Sequence, residues 1–157
     1  MTDFMLVLHI AAAVLFIGPI MVATSAFPAQ IFEAKSGNAT AQGGASVLYR
    51  VTKVYGFLSA LVPLLGLVLF LSDMDTYGSQ GKFHASILLA IIAWVILLVV
   101  ILPRQRTALG ALGMLPESEA SPDEDKVGNW AQLKKQLSMY GGIFNLLWIV
   151  VLILMFV

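Results

Sequence analysis

The sequence predicts an all-α protein, a four-transmembrane-helix bundle with cytoplasmic helix extensions, and three observations carry that expectation. Of the 157 residues 59% are hydrophobic and 11% charged, whereas ordinary soluble domains hold roughly 45–50% and 25%. Mean hydropathy is +0.90, an excess that one core cannot hide. The apolar residues gather in four runs, Phe4–Phe27, Val54–Leu71, Phe83–Leu102 and Tyr140–Val157, each near the ~20 residues a helix needs to cross a bilayer core. None of the four runs contains Asp, Glu, Lys or Arg. The longest polar stretch between them falls below the ~40 residues that fold alone without staples. Residues 1–157 therefore read as a single integral membrane domain.

The first run is interrupted by Gly18-Pro19, and Pro frees a helix carbonyl and bends the helix where neighbours re-satisfy the backbone. Ala11, Ala12 and Ala13 allow close helix approach. Beyond Pro28, Gly37 is placed to close the helix in a left-handed conformation. Ahead of the second run, Val47, Leu48, Val51, Val54 and Tyr55 form an apolar stripe with Arg50 and Lys53 off it. Pro63 predicts a bend there, and Gly56 and Ala60 at four-residue spacing predict a packing face. The third run closes at Leu102, ahead of Pro103, Arg104 and Arg106. Before the fourth, Trp130, Leu133, Leu137 and Tyr140 make a stripe flanked by Lys134 and Lys135, the pattern of an interfacial helix feeding a span. Gly141, Gly142 and Asn145 then offer a packing face and an interhelical hydrogen bond.

Orientation follows from the basic residues, because cytoplasmic loops hold the excess. Lys35, Arg50 and Lys53 lie in the first connection and Arg104, Arg106, Lys126, Lys134 and Lys135 in the third, leaving Lys82 alone on the other side. Both termini are expected outside the cytoplasm. Met1-Thr2-Asp3 supplies no basic n-region for a cleaved signal peptide, so the first span is expected to remain as an anchor.

Nine Lys and Arg against nine Asp and Glu give zero net charge, which removes the basic surface that nucleic-acid binding requires. The absence of Cys excludes disulfides, thiolate nucleophiles and thiolate metal sites. Ionisable groups within membrane spans are candidates for function, and only His9 and His84 qualify. Both lie toward the outer end, where two neutral imidazoles suit haem b or copper, with Asp73 and Asp75 nearby as further ligands. A satisfied interfacial role is the expectation for both. A small oligomeric transporter is the weaker alternative, since no mid-membrane charge lines a path. Ser25, Ser59 and Ser86 occur in no G-x-S-x-G context, so no enzymatic activity is expected. The acidic run Glu117, Glu119, Asp123, Glu124 and Asp125, broken by Pro116 and Pro122, reads as a solvated flexible connection, with docking of a basic partner as the alternative.

Leu6-Val7-Leu8-His9-Ile10 followed by Gly18-Pro19, and Phe83-His84-Ala85 running to Leu102-Pro103-Arg104-Gln105-Arg106, resemble a family of small uncharacterised four-helix bacterial integral membrane proteins. In size and helix count the chain is also similar to membrane subunits of the actinobacterial cytochrome bc–cytochrome oxidase supercomplex. That resemblance implies a non-catalytic accessory or stabilising subunit of the respiratory chain, without a cofactor of its own, in the bacterial inner (plasma) membrane. Its implied partners are the bilayer and other integral membrane subunits, cytochrome bc and cytochrome oxidase subunits among them. The contact residues expected are Trp130, Leu133, Leu137, Tyr140, Gly56, Ala60 and Asn145. The opening Leu-His-Ile segment resembles a second family as well, small four-helix haem-linked proteins that include protoporphyrinogen oxidases and copper-resistance membrane proteins. It implies the alternative of a redox protein binding haem b or copper through His9 and His84.

Overall fold

The computed structural model describes residues 2–156 and is 82% helix, with no strand among the described residues. Four helices are long and apolar enough to cross a membrane: α1 (Asp3–Ala34), α2 (Ala39–Ser72), α3 (Gly81–Ala111) and α4 (Trp130–Phe156). The protein is a multi-pass membrane protein with an all-α fold. Consecutive helices pack side by side, and α1 also packs on α4, closing an up-down-up-down ring. One end of the ring carries His9, His84 and a single helical turn, Met74–Tyr77; it is called the histidine end below. The other, the basic end, holds the α1–α2 turn and the long α3–α4 connection.

Small residues set how closely the helices approach. Ile20, Ala23, Phe27 and Ile31 of α1 are fully buried, as are Ala41 and Ala45 of α2, Ala93, Leu97 and Ala108 of α3, and Leu137 and Phe144 of α4. Within each helix these positions are three, four, seven or eleven residues apart, the spacings of one helix face. The opposite faces are covered by large apolar side chains such as Val14, Leu64, Leu88, Val99 and Leu152, all more than half exposed. In water such a surface would be costly; against lipid tails it is the favoured one.

The prolines are absorbed by local changes of helix register. In α1 a π-helical stretch, Ala13–Ile17, stands directly before Gly18-Pro19. A wider turn of this kind rearranges the carbonyls that a proline leaves without an amide. The same device appears in α3, where Ile96–Ile101 is π-helical directly before Leu102-Pro103. The third helix therefore does not close at Leu102 but runs on to Ala111, because Pro at the first positions of a helical segment needs no amide. In α2 the regular helix breaks at Ser59–Ala60. Ala60 N–H bonds the Phe57 carbonyl at 3.1 Å rather than the Gly56 carbonyl. The freed Gly56 carbonyl accepts from Ser59 Oγ at 2.7 Å and from Trp94 Nε1 of α3 at 3.1 Å. An indole thus stitches the bend of one helix to its neighbour.

Pro28 sits inside α1 and lacks the amide that would reach the Thr24 carbonyl one turn back. Gly141 of α4 lies against that carbonyl, so closely that a Cβ there would come to 3.0 Å of the oxygen. Absence of a side chain at Gly141 is thus what lets α4 cover the gap. At the basic end α1 stops at Ala34, and Gly37 takes φ 87° to reverse the chain, a conformation that costs glycine little. Asn38 caps α2, its side chain accepting from Thr40 N–H and Ala41 N–H. Gln42 Nε2 returns to the Ala34 carbonyl at 3.3 Å.

Candidate functional site

The histidine end holds both intramembrane imidazoles, and both reach α2. His9 of α1 lies over Gly66, where a Cβ would come to 2.9 Å of the ring. His84 of α3 meets Phe70 edge-on, with ring centroids 5.0 Å apart. Gly66 and Phe70 are one turn apart on α2, so the two histidines are at similar depth on neighbouring stretches of one helix. Their environments differ. His9 is half-buried and its Nδ1 is enclosed without a hydrogen-bond partner. His84 is exposed, with Nδ1 3.3 Å from the Gln80 carbonyl of its own helix. Asp73 is occupied as a cap, Oδ1 accepting from Thr76 N–H at 3.1 Å. No group of three or more His, Asp or Glu side chains converges as a metal site among the described residues. An imidazole pair with an orphaned Nδ1 is a donor set that could accept haem iron or copper, and it draws on no carboxylate.

The basic end is built differently. The α3–α4 connection folds back over α2 and α3 and is held by two ion pairs, the only ones among the described residues. Arg106 donates to Asp125 Oδ1 and to Ser121 Oγ, each at 3.0 Å, and to the Glu119 carbonyl. Asp125 Oδ2 accepts from Ser121 N–H at 2.7 Å. The Asp125 side chain is only 2% exposed, and it rests on Gly110, where any side chain would collide with the carboxylate. Glu119 accepts from Lys53 Nζ at 2.7 Å and from the Tyr49 hydroxyl at 3.0 Å. The Lys53 ammonium holds the Glu119 carboxyl below its usual range, with the Tyr49 hydroxyl helping. Part of the acidic run is therefore neither flexible nor free for a foreign partner: Glu119 and Asp125 are bound by the chain's own Lys53 and Arg106. Glu117, Asp123 and Glu124 remain exposed.

The contact residues expected from sequence are distributed over both faces of the bundle. Leu137 and Gly56 are buried within it. Trp130, Leu133 and Tyr140 pack partly buried against the same core, so their stripe is turned toward the chain's own helices, with Leu133 also lining an open cleft beside Arg104. Trp148 is 8% exposed and meets Phe144 edge-on. Ala60 is half-buried at the α2 bend. Asn145 does form an interhelical bond, Nδ2 donating to Ser25 Oγ of α1 at 2.8 Å, while its Oδ1 has no partner. That pair lies at the outer seam of α1 and α4. Ser25 is exposed, as are Gly18 two turns along α1 and Gly142 nearly one turn along α4, and no heavy atom outside their own local backbone comes near either glycine's Cβ position. The residues the sequence left unnoticed are Gly18 and Ser25 as members of this seam and Gln105, fully buried with both amide atoms unpartnered.

No protein-family model matches the chain, and neither a curated protein nor a solved structure matches it.

Proposed function

We propose that the protein is a non-catalytic accessory subunit that stabilises a larger membrane complex, with a respiratory cytochrome bc–oxidase assembly as the first complex to examine. The observation that carries this reading is the α1–α4 seam. Ser25 is exposed on a lipid-facing surface, its hydroxyl donating to the Met21 carbonyl and accepting from the half-buried Asn145, and Gly142 on α4 and Gly18 two turns along α1 have open space at their Cβ positions. Small residues with a polar group among them are what transmembrane helices use to associate, since lipid tails supply no hydrophobic drive between helices. In this reading the chain sits in a bacterial inner membrane, and the excess of basic residues in the α1–α2 turn and the α3–α4 connection supports a cytoplasmic side for both and an outer side for both termini. Purification of the tagged chain from native membranes in a mild detergent, with co-purifying proteins identified by mass spectrometry, tests the reading. Integral membrane subunits are expected at fixed stoichiometry, and Asn145→Leu is expected to lower their recovery without lowering that of the chain. Recovery of the chain alone would refute it.

A second reading rests on the placement of His9 and His84 over adjacent turns of α2: a redox protein holding haem b or copper between them. It predicts a Soret band, or stoichiometric copper, that is lost in His9→Ala. A colourless, copper-free protein from native membranes would end it.

A further inference from the structure

We infer that a cleft at the basic end, between the last turns of α3 and the first turns of α4, binds the phosphodiester headgroup of an anionic phospholipid. Two open clefts flank Pro103, and their charges are settled in opposite ways. The first, of about 480 Å³, contains Lys53 and Arg106, but Glu119 lines it too and each cation is engaged by a carboxylate. The second, of about 370 Å³, is lined by Arg104, Lys126, Thr107, Asn129, Gln132 and Gln136 among others, and no Asp or Glu is in its wall. Its volume is in the range of small-ligand sites.

Neither cation of the second cleft is in an ion pair among the described residues. The carboxylate adjacent in sequence to Lys126 is that of Asp125, and both its oxygens are taken, by Arg106 and by Ser121 N–H. Arg104 is held in position before any ligand arrives. One of its nitrogens donates to the Val100 carbonyl at 3.1 Å and its guanidinium lies 5.2 Å from the Tyr140 ring centre, which leaves the remaining donors of the planar fork for a phosphate. Thr107 and the side-chain amides of Asn129, Gln132 and Gln136 add neutral hydrogen-bonding groups to the wall.

Depth favours a lipid over a free anion. Arg104 follows the apolar stretch Phe83–Leu102 by two residues, and Gln132 and Gln136 precede the apolar stretch that begins at Tyr140. The cleft is therefore at headgroup level, with acyl chains able to run down the apolar surface of α3 and α4. Basic pockets between transmembrane helices at this level recognise anionic headgroups, and each cation near the surface contributes about a fivefold preference.

Native mass spectrometry of the full chain in mild detergent, with equal phosphatidylglycerol and phosphatidylcholine, reads the preference for the first bound lipid. Wild type is expected to favour phosphatidylglycerol. Lys126→Gln, at an exposed residue whose side chain is in no ion pair among the described residues, should reduce that preference about fivefold, and Arg104→Gln with Lys126→Gln should abolish it. Lys135→Gln, which removes the same charge at the same end but outside the cleft, should leave it unchanged. The inference is overturned if Lys126→Gln behaves as wild type, if Lys135→Gln loses as much, or if inorganic phosphate at millimolar concentration displaces phosphatidylglycerol from the wild-type chain.

Discussion

The two ends of this bundle are held by different physics. At the basic end a connection rich in carboxylates is tied down by cations from α2 and α3, and Asp125 is almost wholly withdrawn from solvent beside Arg106. At the histidine end His84 makes a single contact with its own helix and an edge-on contact with Phe70. The short turn is held without any ion pair among the described residues, by the Asp73 cap, by Gln80 Nε2 donating to the Thr76 carbonyl at 2.7 Å and by Tyr77 edge-on to Phe83. The basic end engages Lys53 and Arg106 with its own carboxylates and leaves Arg104 and Lys126 outside any ion pair among the described residues; the histidine end leaves an imidazole nitrogen unpartnered. A group without an internal partner is available for an external one, which is why the histidines remain candidates for a ligand and Asp125 does not.

The largest expected effect that would break this contrast is Arg106→Ala. Arg106 is partly exposed but Asp125 is not, so its removal strands a buried carboxylate, at a cost of about 3 kcal/mol, the low end of what breaking a buried pair costs. His84→Ala at the opposite end should cost at most about 1.5 kcal/mol, the scale of one aromatic edge contact. Thermal unfolding of both variants in the same detergent makes the comparison, and equal losses would show that the two ends are built alike. Gly110→Ala drives a methyl group into the Asp125 carboxylate and should cost about 1–3 kcal/mol by overpacking. Gly66→Ala meets only the movable His9 ring and should cost less than its counterpart. Trp94→Phe, midway between the ends, removes the indole bond to the Gly56 carbonyl and should cost about 1 kcal/mol.

The smallest effect is one of pH. Glu119 titrates below its ordinary 4.5 in the folded chain, so the folded state holds fewer protons than the unfolded one just under that value. Its contribution is present above about pH 4.5 and is lost as the pH falls through the lowered value. Acid unfolding curves of wild type and Glu119→Gln should therefore converge at low pH and separate above it. Parallel curves would remove Glu119 from the clamp.

How much of this was legible in the sequence follows from the range of each interaction. Four runs without a charge specify four spanning helices, because only a helix satisfies its own backbone in lipid, and the fold class is visible in that alone. That Pro19 and Pro63 would disturb their helices was legible for the same local reason, and the disturbance takes the form of a π-helical stretch at Ala13–Ile17 and a break of regular helix at Ser59–Ala60. The course of α3 through Pro103 was not, since it depends on a π-helical turn among Ile, Leu and Val residues that have no distinctive composition. The stripe from Trp130 to Tyr140 shows one apolar face, but periodicity does not say whether lipid or helix meets it; the structure turns it toward the core. The clamp joins Lys53 to Glu119 and Arg106 to Asp125 across long sequence separations, where a run of acids read alone resembles a solvated loop. The Pro28 and Gly141 partnership was hidden likewise, each residue being explicable on its own helix.

The central claim, that the seam between α1 and α4 is covered by another membrane protein, is tested most directly by photo-crosslinking in native membranes. A photo-reactive phenylalanine analogue is placed at position 25 in one strain and at position 99 in another; Ser25 and Val99 are both exposed and both lie near the basic end of their apolar runs. The account predicts a discrete protein adduct from position 25 and lipid adducts alone from position 99. Lipid adducts alone from both positions would contradict it.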